Sequence, residues 1–517
     1  MSTESNEPQA PPTSDDQALG DRGDNRSHRP NSEAFRQFMG SNWGERTAVL
    51  EGRQPVADFL NDRHRRAGAP FPGERLVIPA GGLQVRSNDT DYRFRAHSAF
   101  AHMTGLGAEM EPDAVLVLEP TAAPSEGDDT HTAVLYFQPR SSRSSEQFYA
   151  DSRYGEFWVG PRPSLEEMSA YTGLACAPID TLPDALAKDA GTVPLRVLSQ
   201  ADDSVLALVN RVRQNANLPE GAAASALDDE LAQHLSEIRL IKDSFEVDEL
   251  QHAVDVTRDG FDEIIRSLPR AAQHHRGERV IEGAFAAVAR EQGNGVGYET
   301  IAASGNHANT LHWIDNSGAL PPGGLVLVDA GVEVDSLYTA DITRTLPISG
   351  RFTDAQARVY QAVLDAAEAA LAACSRPGVR FKDVHQAAME VIARRLEEWG
   401  ILPVTAEQSL APDGQQHRRW MPHGTSHHLG LDVHDCAQAR REMYQEALLE
   451  PGMTFTIEPG LYFREDDLAV PAELRGIGVR IEDDIVIEAD GMPRRFSESI
   501  PRTIKGVEAW MANVWAQ

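Results

Sequence analysis

The sequence is short of cysteine for its length. Only three cysteines, Cys176, Cys374 and Cys436, occur in 517 residues. Their odd number and wide spacing exclude a disulfide framework and a paired-cysteine metal site. Sparse, unpaired cysteine is typical of a reducing compartment, so we expect a cytoplasmic protein.

Positive charge and long apolar runs are also scarce. The chain has 48 Lys and Arg against 79 Asp and Glu, a formal net charge of −31. This balance argues against a nucleic-acid or anionic-membrane partner. No apolar run is long enough to span a bilayer. The first residues lack the basic and apolar regions of a secretory signal. We therefore expect no nucleic-acid partner and no membrane association.

Length and composition predict two domains and a tail. Hydrophobic residues make up 41% of the chain, enough for real cores, and 517 residues exceed one ordinary core. Residues 1–32 are rich in Ser, Asp, Pro, Gly and Arg and are expected to be disordered. A Pro- and Gly-bearing linker at 215–226 separates the rest into domains 33–222 and 223–517.

Strands and helices alternate in the first domain, which predicts a small α/β fold. A helical pattern begins near Asn31, and residues 122–129 read as a polar hairpin connection. This half has no metal-ligand cluster and no Gly-rich phosphate loop. The predicted strands are 75–79, 113–119, 132–137 and 194–198, and the predicted helices are 184–190 and 202–214.

The second domain combines long amphipathic helices with β-branched strands. Its Ala-rich helices suit packing on one face of a sheet. The predicted helices are 227–240, 245–268, 278–292, 353–374 and 381–398.

Two aspartates mark the centre of this domain. The apolar run Leu325–Val328 predicts a strand that ends at Asp329, Gly331 predicts a turn, and Asp341 comes ten residues later. Pairing of the flanking strands would place both carboxylates at one end of a sheet. Such a pair repels unless a proton or cation lies between them. Taken alone, two aspartates that cap turns explain the pattern equally well.

Three later stretches supply further candidate ligands. Carboxylate and imidazole ligands suit Mn²⁺, Fe²⁺, Co²⁺ or Zn²⁺, and this many carboxylates favour two bridged cations that polarise a carbonyl for amide hydrolysis. A metal-sequestering histidine tract is the alternative, but apolar residues separate the histidines. The stretches are Met421–Asp435 with four histidines, Phe455–Tyr462 around Glu458, and Val479–Asp484.

These strings together resemble aminopeptidase P, the Xaa-Pro aminopeptidases of the pita-bread metallopeptidases. The first half resembles the family loosely, through Arg86–Arg95, Phe100 and Thr104-Gly-Leu. The second half resembles it closely. Its matching strings are Asp-Ile-Thr-Arg-Thr, His-Gly-Thr-Ser-His, Leu-Gly-Leu-Asp-Val-His-Asp, Glu-Pro-Gly-Leu-Tyr and Arg-Ile-Glu-Asp-Asp.

The resemblance implies five metal ligands and two divalent ions, with Mn²⁺ favoured and Zn²⁺, Co²⁺ or Fe²⁺ as alternatives. Asp341 and Glu482 would bridge both ions, Asp329 would hold one, and His427 and Glu458 the other. Glu458 also matches the base that takes a proton from the attacking water.

The resemblance implies further substrate-binding residues. His423, His434 and His312 match histidines that can donate to a developing oxyanion. Tyr462 and Arg480 match residues that line the pocket. Two departures from the family pattern are visible: an interval from Asp329 to Asp341 that is one residue longer, attributed to a turn near Ser336, and His428 where an aromatic residue is common.

The implied fold is α/β (α+β). It has an N-terminal creatinase/prolidase-type domain and a C-terminal pita-bread domain with a curved antiparallel sheet inside and helices outside. The implied reaction is release of the N-terminal residue before proline, with a metal-bridging hydroxide that attacks the Xaa-Pro carbonyl. The implied assembly is a homodimer or homotetramer, with Trp158 as a candidate aromatic at the border of a neighbouring site, or alternatively a buried core residue.

Four rival activities are compatible with some of the same strings. Prolidase, restricted to Xaa-Pro dipeptides, shares the metal set. Methionine aminopeptidase does not need the large first half. A metal-free creatinase-like hydrolase and a non-catalytic pita-bread binding protein are disfavoured because all five ligands are present.

Overall fold

A computed structural model describes residues 32–88, 90–121 and 130–517. The chain divides into two units, Met1–Ser225 and Ala226–Gln517. The predicted disordered tail, apart from Ser32, and the predicted polar connection at 122–129 lie outside the described residues. Within the described ranges, every helix is too short or too polar to reach across a lipid bilayer.

The first unit alternates helices and strands, as the sequence predicts. Its helices are α1 (Glu33–Met39), α2 (Leu60–Gly68), α3 (Ser98–Thr104), α4 (Glu146–Ala150), α5 (Glu156–Val159), α6 (Leu165–Thr172), α7 (Leu182–Ala187) and α8 (Asp203–Asn215). Its strands are β1 (Arg75–Pro79), β2 (Val85–Ser87), β3 (Thr90–Asp91), β4 (Val115–Pro120), β5 (His131–Phe137), β6 (Ala175–Pro178) and β7 (Leu195–Val197).

A mixed sheet forms the centre of the first unit. In the described residues its strand order is β6-β5-β4-β1-β7. Strand β4 pairs antiparallel with β1 and β5, while β7 and β6 pair parallel with β1 and β5. Helices α7 and α8 cover one face, where Leu186 and Val209 pack against Val77 and Val117. The apolar runs of β1 and β7 are buried throughout, whereas β5 is buried only in part.

The second unit begins within helix α9 (Ala222–Glu237), which replaces part of the expected linker. The remaining helices are α10 (Ser244–Ala271), α11 (Gly277–Gln292), α12 (Asp354–Cys374), α13 (Phe381–Glu398), α14 (Ala406–Leu410) and α15 (Ile504–Trp515). The strands are β8 (Gly295–Val296), β9 (Ile301–Ser304), β10 (Leu325–Ala330), β11 (Val332–Glu333), β12 (Ile342–Pro347), β13 (Thr454–Ile457), β14 (Gly460–Phe463), β15 (Ile477–Arg480), β16 (Asp483–Ile487) and β17 (Pro493–Arg495).

The long helices begin at side-chain caps that the sequence encodes. Asp243 and Glu246 form a capping box at the start of α10, and Thr353 and Gln356 form another at α12. Each box satisfies two backbone donors that a helix start leaves free. Helix α10 packs against α11, and α12 against α13. These pairs supply the outer helical layer that the amphipathic patterns predict.

Strand β10 is buried along its whole length and pairs antiparallel with β12 and β9. In this register Asp329 lies opposite Thr343. Asp341 is the residue just before β12, and it therefore lies beside Asp329. The predicted proximity of the two carboxylates is therefore confirmed.

The turn expected at Gly331 is wrong. The chain continues from β10 into β11, and the turn lies at Asp335 and Ser336. Gly331 is needed instead for a close approach, since a Cβ there would lie 1.6 Å from the Ala340 carbonyl oxygen. A side chain at this position would force the two aspartate-bearing segments apart.

Strands β14 and β15 pair with each other, as do β13 and β16, and both pairs are antiparallel. The segment from Arg480 to Asp484 joins β15 to β16 and runs beside β12, where the Glu482 N–H donates to the Thr343 carbonyl at 3.1 Å. Successive side chains of an extended segment point to opposite sides. This segment therefore presents Arg480, Glu482 and Asp484 to one side and Asp483 to the other.

Candidate active site

The predicted site residues meet at one cavity in the second unit. The cavity has a volume of about 540 Å³. Nine of the ten predicted residues line it: Asp329, Asp341, His427, Glu458, Glu482, His312, His423, His434 and Arg480. The tenth, Tyr462, lies behind this lining and contacts His423 and Arg480.

The centre of the cavity holds three potential metal ligands. One ligand atom each from Asp341, His427 and Glu482 lie within 4.8 Å of one another. The Nε2 atom of His427 lies 3.3 Å from Asp341 Oδ2 and 3.8 Å from Glu458 Oε1. Four of the five predicted ligands thus surround a common space.

The fifth predicted ligand is held from outside that space. Arg480 donates from Nη2 to Asp329 Oδ2 at 2.5 Å. The other Asp329 oxygen, Oδ1, lies 2.6 Å from the Tyr298 hydroxyl. These two contacts orient Asp329 toward Asp341 at the end of β10.

The buried carboxylates lack sufficient cations from the protein. Burial, reinforced by the charges of Asp341, Glu458 and Asp329, holds the pKa of Glu482 well above its usual range. Burial likewise raises the pKa of Asp341, against the opposing hydrogen bond from His427. Within the described residues, Glu482 Oε1 has no hydrogen-bond partner. A buried acceptor left in this state is costly unless a proton or cation completes it.

The pKa values of His427 and Glu458 are also raised above their usual ranges. Burial alone would lower the pKa of His427, but Asp341, through its hydrogen bond and charge, and Glu458 raise it to about 9. Burial raises the pKa of Glu458 to about 8, although His427 and Arg480 oppose that shift. Without added cations, the cluster therefore retains protons near neutral pH.

The donor set fits divalent metal ions. Carboxylate oxygens and an imidazole nitrogen are ligands that Mn²⁺, Fe²⁺, Co²⁺ and Zn²⁺ accept. A metal site needs ligand atoms that lie close together and are free to coordinate an ion. Glu482 Oε1 has no hydrogen-bond partner among the described residues, and Glu482 shares a common space with Asp341 and His427. Divalent charge would also relieve the repulsion among the carboxylates.

A hydrogen-bonded chain supports one wall of the cavity. Arg480 Nη1 donates to the Tyr462 hydroxyl at 3.1 Å. That hydroxyl lies 2.7 Å from His423 Nε2, and His423 Nδ1 lies 2.5 Å from the Gly424 carbonyl. The carbonyl only accepts, so Nδ1 carries the hydrogen and Nε2 accepts from Tyr462. Burial first, then the charge of Arg480, lowers the pKa of His423 to about 3. Its N–H is thus engaged, and its donor role toward substrate stays a prediction.

His434 and His312 face the cavity without such restraints. Each has an exposed side chain that makes no hydrogen bond to another described residue. The rings of His434 and His427 meet edge to face at 4.5 Å. Partial desolvation by the cavity wall, aided by the charge of His427, lowers the pKa of His434. A neutral imidazole in this position retains one N–H that can donate to substrate.

Tyr298 is a site residue that the sequence analysis missed. Its hydroxyl lies 2.6 Å from Asp329 Oδ1 and 2.5 Å from Asp341 Oδ1. One O–H donates to one oxygen at a time, so the phenol links the two carboxylates. Burial first, then both negative charges, raises the pKa of Tyr298 well above its usual range. No local motif marks this tyrosine, because its role arises from the placement of β9 beside β10.

Asp484 and Thr343 complete the surroundings of the ligands. Asp484 Oδ2 accepts from the Asp341 N–H at 3.0 Å, while its Oδ1 has no partner in the described part of the chain. Thr343 donates from its hydroxyl to Glu482 Oε2 at 2.7 Å. These contacts orient the two central carboxylates from outside.

His428 occupies an aromatic environment rather than the cavity. Its ring stacks on Phe381 at 4.7 Å and meets Tyr444 edge to face at 4.6 Å. Neither ring nitrogen has a hydrogen-bond partner among the described side chains and backbone. Burial lowers its pKa to about 3, so this histidine is a neutral packing residue. This explains how it substitutes for an aromatic side chain.

Two family models match the chain. The model described as metallopeptidase family M24 matches residues 248–489, which include the whole cavity lining. The model described as aminopeptidase P, N-terminal domain, matches residues 60–195.

Curated relatives match most of the chain. Xaa-Pro aminopeptidase 1 of Streptomyces coelicolor is 47% identical over 484 residues, which cover 93% of this chain and 92% of the relative. The Xaa-Pro aminopeptidase of Escherichia coli is 32% identical over 461 residues, covering 88% of this chain and 97% of the relative.

Solved structures share the fold of both units. Aminopeptidase P from E. coli in its low-pH form superposes with a TM-score of 0.75 at 30% identity, covering 90% of this chain and 100% of that one. A Zn-substituted form of the E. coli enzyme in complex with product gives 0.73, at 30% identity and with 88% and 98% coverage. The predicted resemblance and fold class, an N-terminal aminopeptidase P domain followed by a pita-bread domain, are confirmed. The chain therefore belongs to the Xaa-Pro aminopeptidases of metallopeptidase family M24.

Proposed function

We propose that this chain is a metal-dependent aminopeptidase that releases the N-terminal residue from peptides with proline in second position. The observation that carries the proposal is the cavity that Asp329, Asp341, His427, Glu458 and Glu482 all line. The Xaa-Pro aminopeptidase relatives, one at 47% identity across 93% of the chain, support the substrate class.

Divalent metal ions are the cofactors of an M24 metallopeptidase, and we assign two of them to this site. Asp341 and Glu482 would contact both ions, Asp329 one, and His427 and Glu458 the other. The short separation of Asp341, His427 and Glu482 supports this sharing. Mn²⁺ is our proposed ion, because the donor set is rich in carboxylates. Bound ions would acidify water and polarise the scissile carbonyl.

Glu458 is the proposed base. It lies beside His427 and His423 at the cavity wall, at 3.8 and 3.6 Å from their ring nitrogens. A nearby dication favours the ionised form of a carboxylate. Glu458 can then accept the proton that the attacking water loses and pass it to the departing prolyl nitrogen.

The histidines are the proposed oxyanion donors. His434 and His312 present free rings to the cavity, and a neutral N–H can donate to the carbonyl oxygen as its charge grows. Arg480 and Tyr462 would act differently. They hold Asp329 and His423 in place, and thereby fix the geometry around the scissile bond.

Hydrolysis of matched peptides tests the function. The full chain loaded with Mn²⁺ should cleave Ala-Pro-Ala much faster than Ala-Ala-Ala. A site shaped for the proline ring should reject alanine at the second position, because alanine lacks the ring and its peptide nitrogen carries a hydrogen. Equal kcat/KM on the two tripeptides would contradict the proposal. Cleavage of Ala-Pro without Ala-Pro-Ala would instead identify a prolidase.

We also propose a homodimer or homotetramer. The first unit exposes several aromatic side chains: Phe38 by 74%, Phe157 by 55% and Trp158 by 61%. Trp158 is therefore a surface residue and not part of the core, which removes the alternative explanation for it. Exposed apolar patches of this kind mark interaction sites. A fully active monomer in light scattering, or an active fragment that starts near Ala223, would contradict this assembly.

The three cysteines are free in the structure. This state suits a reducing compartment, and we propose a cytoplasmic location. Fractionation of cells that express the untagged protein would test the location.

A further inference from the structure

One carboxylate of the cavity lining remains outside the ligand cluster. Glu299 comes directly after Tyr298 and lines the same cavity. Its side chain is exposed and makes no hydrogen bond or ion pair with any other described residue. It differs in this from Asp329, which lines the same cavity but is held by Arg480 and Tyr298.

Glu299 differs from the other lining carboxylates in having no cation assigned to it. The five lining carboxylates are Glu299 and the four proposed carboxylate ligands. Two divalent ions would neutralise those four ligands. Arg480 is already engaged by Asp329 at 2.5 Å and by Tyr462. Glu299 is then the one lining carboxylate that is neither a proposed ligand nor in contact with a cation of the described residues, so it is available to a basic group of a substrate.

Apolar side chains line the cavity together with this carboxylate. Leu311, Ile314 and Val433 belong to the lining, and Ile314 is 53% exposed. Lysine and arginine combine an apolar stem with a charged end, and each part favours a matching surface. A wall of this composition therefore suits a long basic side chain better than an acidic or a short one.

We propose that Glu299 makes this enzyme select peptides whose first residue is lysine or arginine. This inference rests on the proposed Xaa-Pro aminopeptidase function and adds a preference for the Xaa side chain. Glu299 lines the same cavity as the ligand cluster, and the preceding residue, Tyr298, contacts Asp329 and Asp341. In an aminopeptidase substrate, the first residue carries the scissile carbonyl and stays next to that cluster.

The test compares two substrates that differ in one charge. Lys-Pro-Ala and norleucine-Pro-Ala have the same aliphatic stem, so the ratio of their kcat/KM values isolates the ammonium group. The Mn²⁺-loaded wild-type chain should favour the lysine peptide by about fivefold at low salt, the upper range for an exposed ion pair. In Glu299→Gln the ratio should fall to near one. In the wild type it should also shrink in about 0.5 M salt, because screening weakens an exposed pair.

A second variant controls for the negative charge of the whole chain. Glu291 is exposed on α11 and lines a different surface groove. Glu291→Gln removes the same charge and should leave the lysine-to-norleucine ratio at its wild-type value. An equal drop in both variants would assign the preference to the overall field and overturn the role of Glu299.

Other outcomes separate this inference from the proposed function. If the lysine-to-norleucine ratio stayed unchanged in Glu299→Gln, even with an equal loss of kcat/KM on both substrates, the result would show that Glu299 does not recognise the charge of the first side chain. If Glu299→Gln instead lowered kcat/KM for Ala-Pro-Lys, Glu299 would contact the third residue of the peptide and not the first. If the wild type cleaved no Xaa-Pro peptide at all, the proposed function itself would fail and this inference with it.

Discussion

Two sides of one short segment handle buried carboxylates in opposite ways. Asp483 accepts from Arg344 at 2.7 Å, Arg502 at 3.0 Å and Ser497 at 2.5 Å. The charges of the arginines outweigh burial and, with the hydrogen bond from Ser497, hold the pKa of Asp483 well below its usual range. Its neighbour Glu482 is equally buried, yet it has an oxygen without a partner among the described residues and a raised pKa.

The difference teaches how to distinguish a structural carboxylate from a ligand. Burial alone disfavours the charge on both Glu482 and Asp483, and the outcome depends on whether the protein supplies the cations. Asp483 receives them from arginines and belongs to the fold. Glu482 does not, and we propose that a bound metal ion balances its charge.

The largest expected effect is at Asp341. In Asp341→Asn, loss of the proposed bridging ligand should remove both ions and lower kcat/KM by more than about 10³-fold, beyond the cost of a single oxyanion donor. The metal-free variant should unfold at no lower temperature than the metal-free wild type, because it lacks one of the repelling carboxylates. Metal analysis, kinetics and calorimetry measure these three quantities. Two ions retained per chain would contradict the assignment.

At Asp483 we expect the opposite result, a loss of stability without a loss of metal or activity. In Asp483→Asn, Arg344 and Arg502 lose a buried counter-charge, and such losses cost about 3–5 kcal/mol of stability. Activity per folded molecule and metal content should persist. Thermal unfolding observed by circular dichroism, with kcat measured at low temperature, tests both statements. Asp466, exposed beside Arg464, provides the control, since Asp466→Asn should leave the unfolding temperature unchanged. A stable but metal-free Asp483→Asn would break the comparison.

A smaller effect is expected at His434, which contacts the proposed ligand His427 but is not itself assigned as a ligand. In His434→Ala, kcat should fall by about 10²–10³-fold with unchanged metal content, because one oxyanion donor is lost. In His427→Ala, metal and activity should disappear together. If His434→Ala also lost metal, His434 would be a ligand. If it kept full kcat per folded molecule, the residue would have no catalytic role.

The smallest effect concerns the stability of the metal-free protein as pH changes. Burial raises the pKa of Glu458 to about 8, whereas an unperturbed glutamate has 4.5. Between these values the folded state keeps a proton that the unfolded chain releases, so the free energy of unfolding falls as pH rises. One such proton accounts for at most about 1.4 kcal/mol per pH unit. Thermal unfolding compared at pH 6 and pH 7, an interval over which one proton contributes at most about 1.4 kcal/mol, should show this decline without metal and lose it with saturating Mn²⁺.

Much of the site could be predicted because its residues lie in short strings. Asp329 and Asp341 flank paired strands, and the antiparallel register alone brings them together. The starts of α10 and α12 are also encoded locally, because Asp243 and Thr353 each form a capping box with a residue three positions later.

The features that sequence reasoning missed depend on contacts between distant segments. Gly331 predicted a turn, but the chain needs it for the approach to Ala340, which no local pattern reveals. Tyr298 was missed because only the pairing of β9 with β10 brings its hydroxyl to the two aspartates. The helical spacing near Phe38 correctly predicted α1, yet this helix buries none of its residues. The periodicity of apolar residues predicts that a helix forms, but it does not predict which surface, if any, packs against it.

The alternating orientation between Arg480 and Asp484 also restricts how this gene can change in length. Deletion of one residue there would turn Asp483 toward the cavity and Glu482 toward the arginines, because a shift by one position exchanges the two sides of an extended segment. Insertion of two residues preserves the orientation of the downstream side chains, whereas insertion of one does not. The turn at Ser336 lies outside this alternation and can accept an added residue. Insertions and deletions in natural homologues should therefore collect at such turns and avoid the ligand-bearing segment.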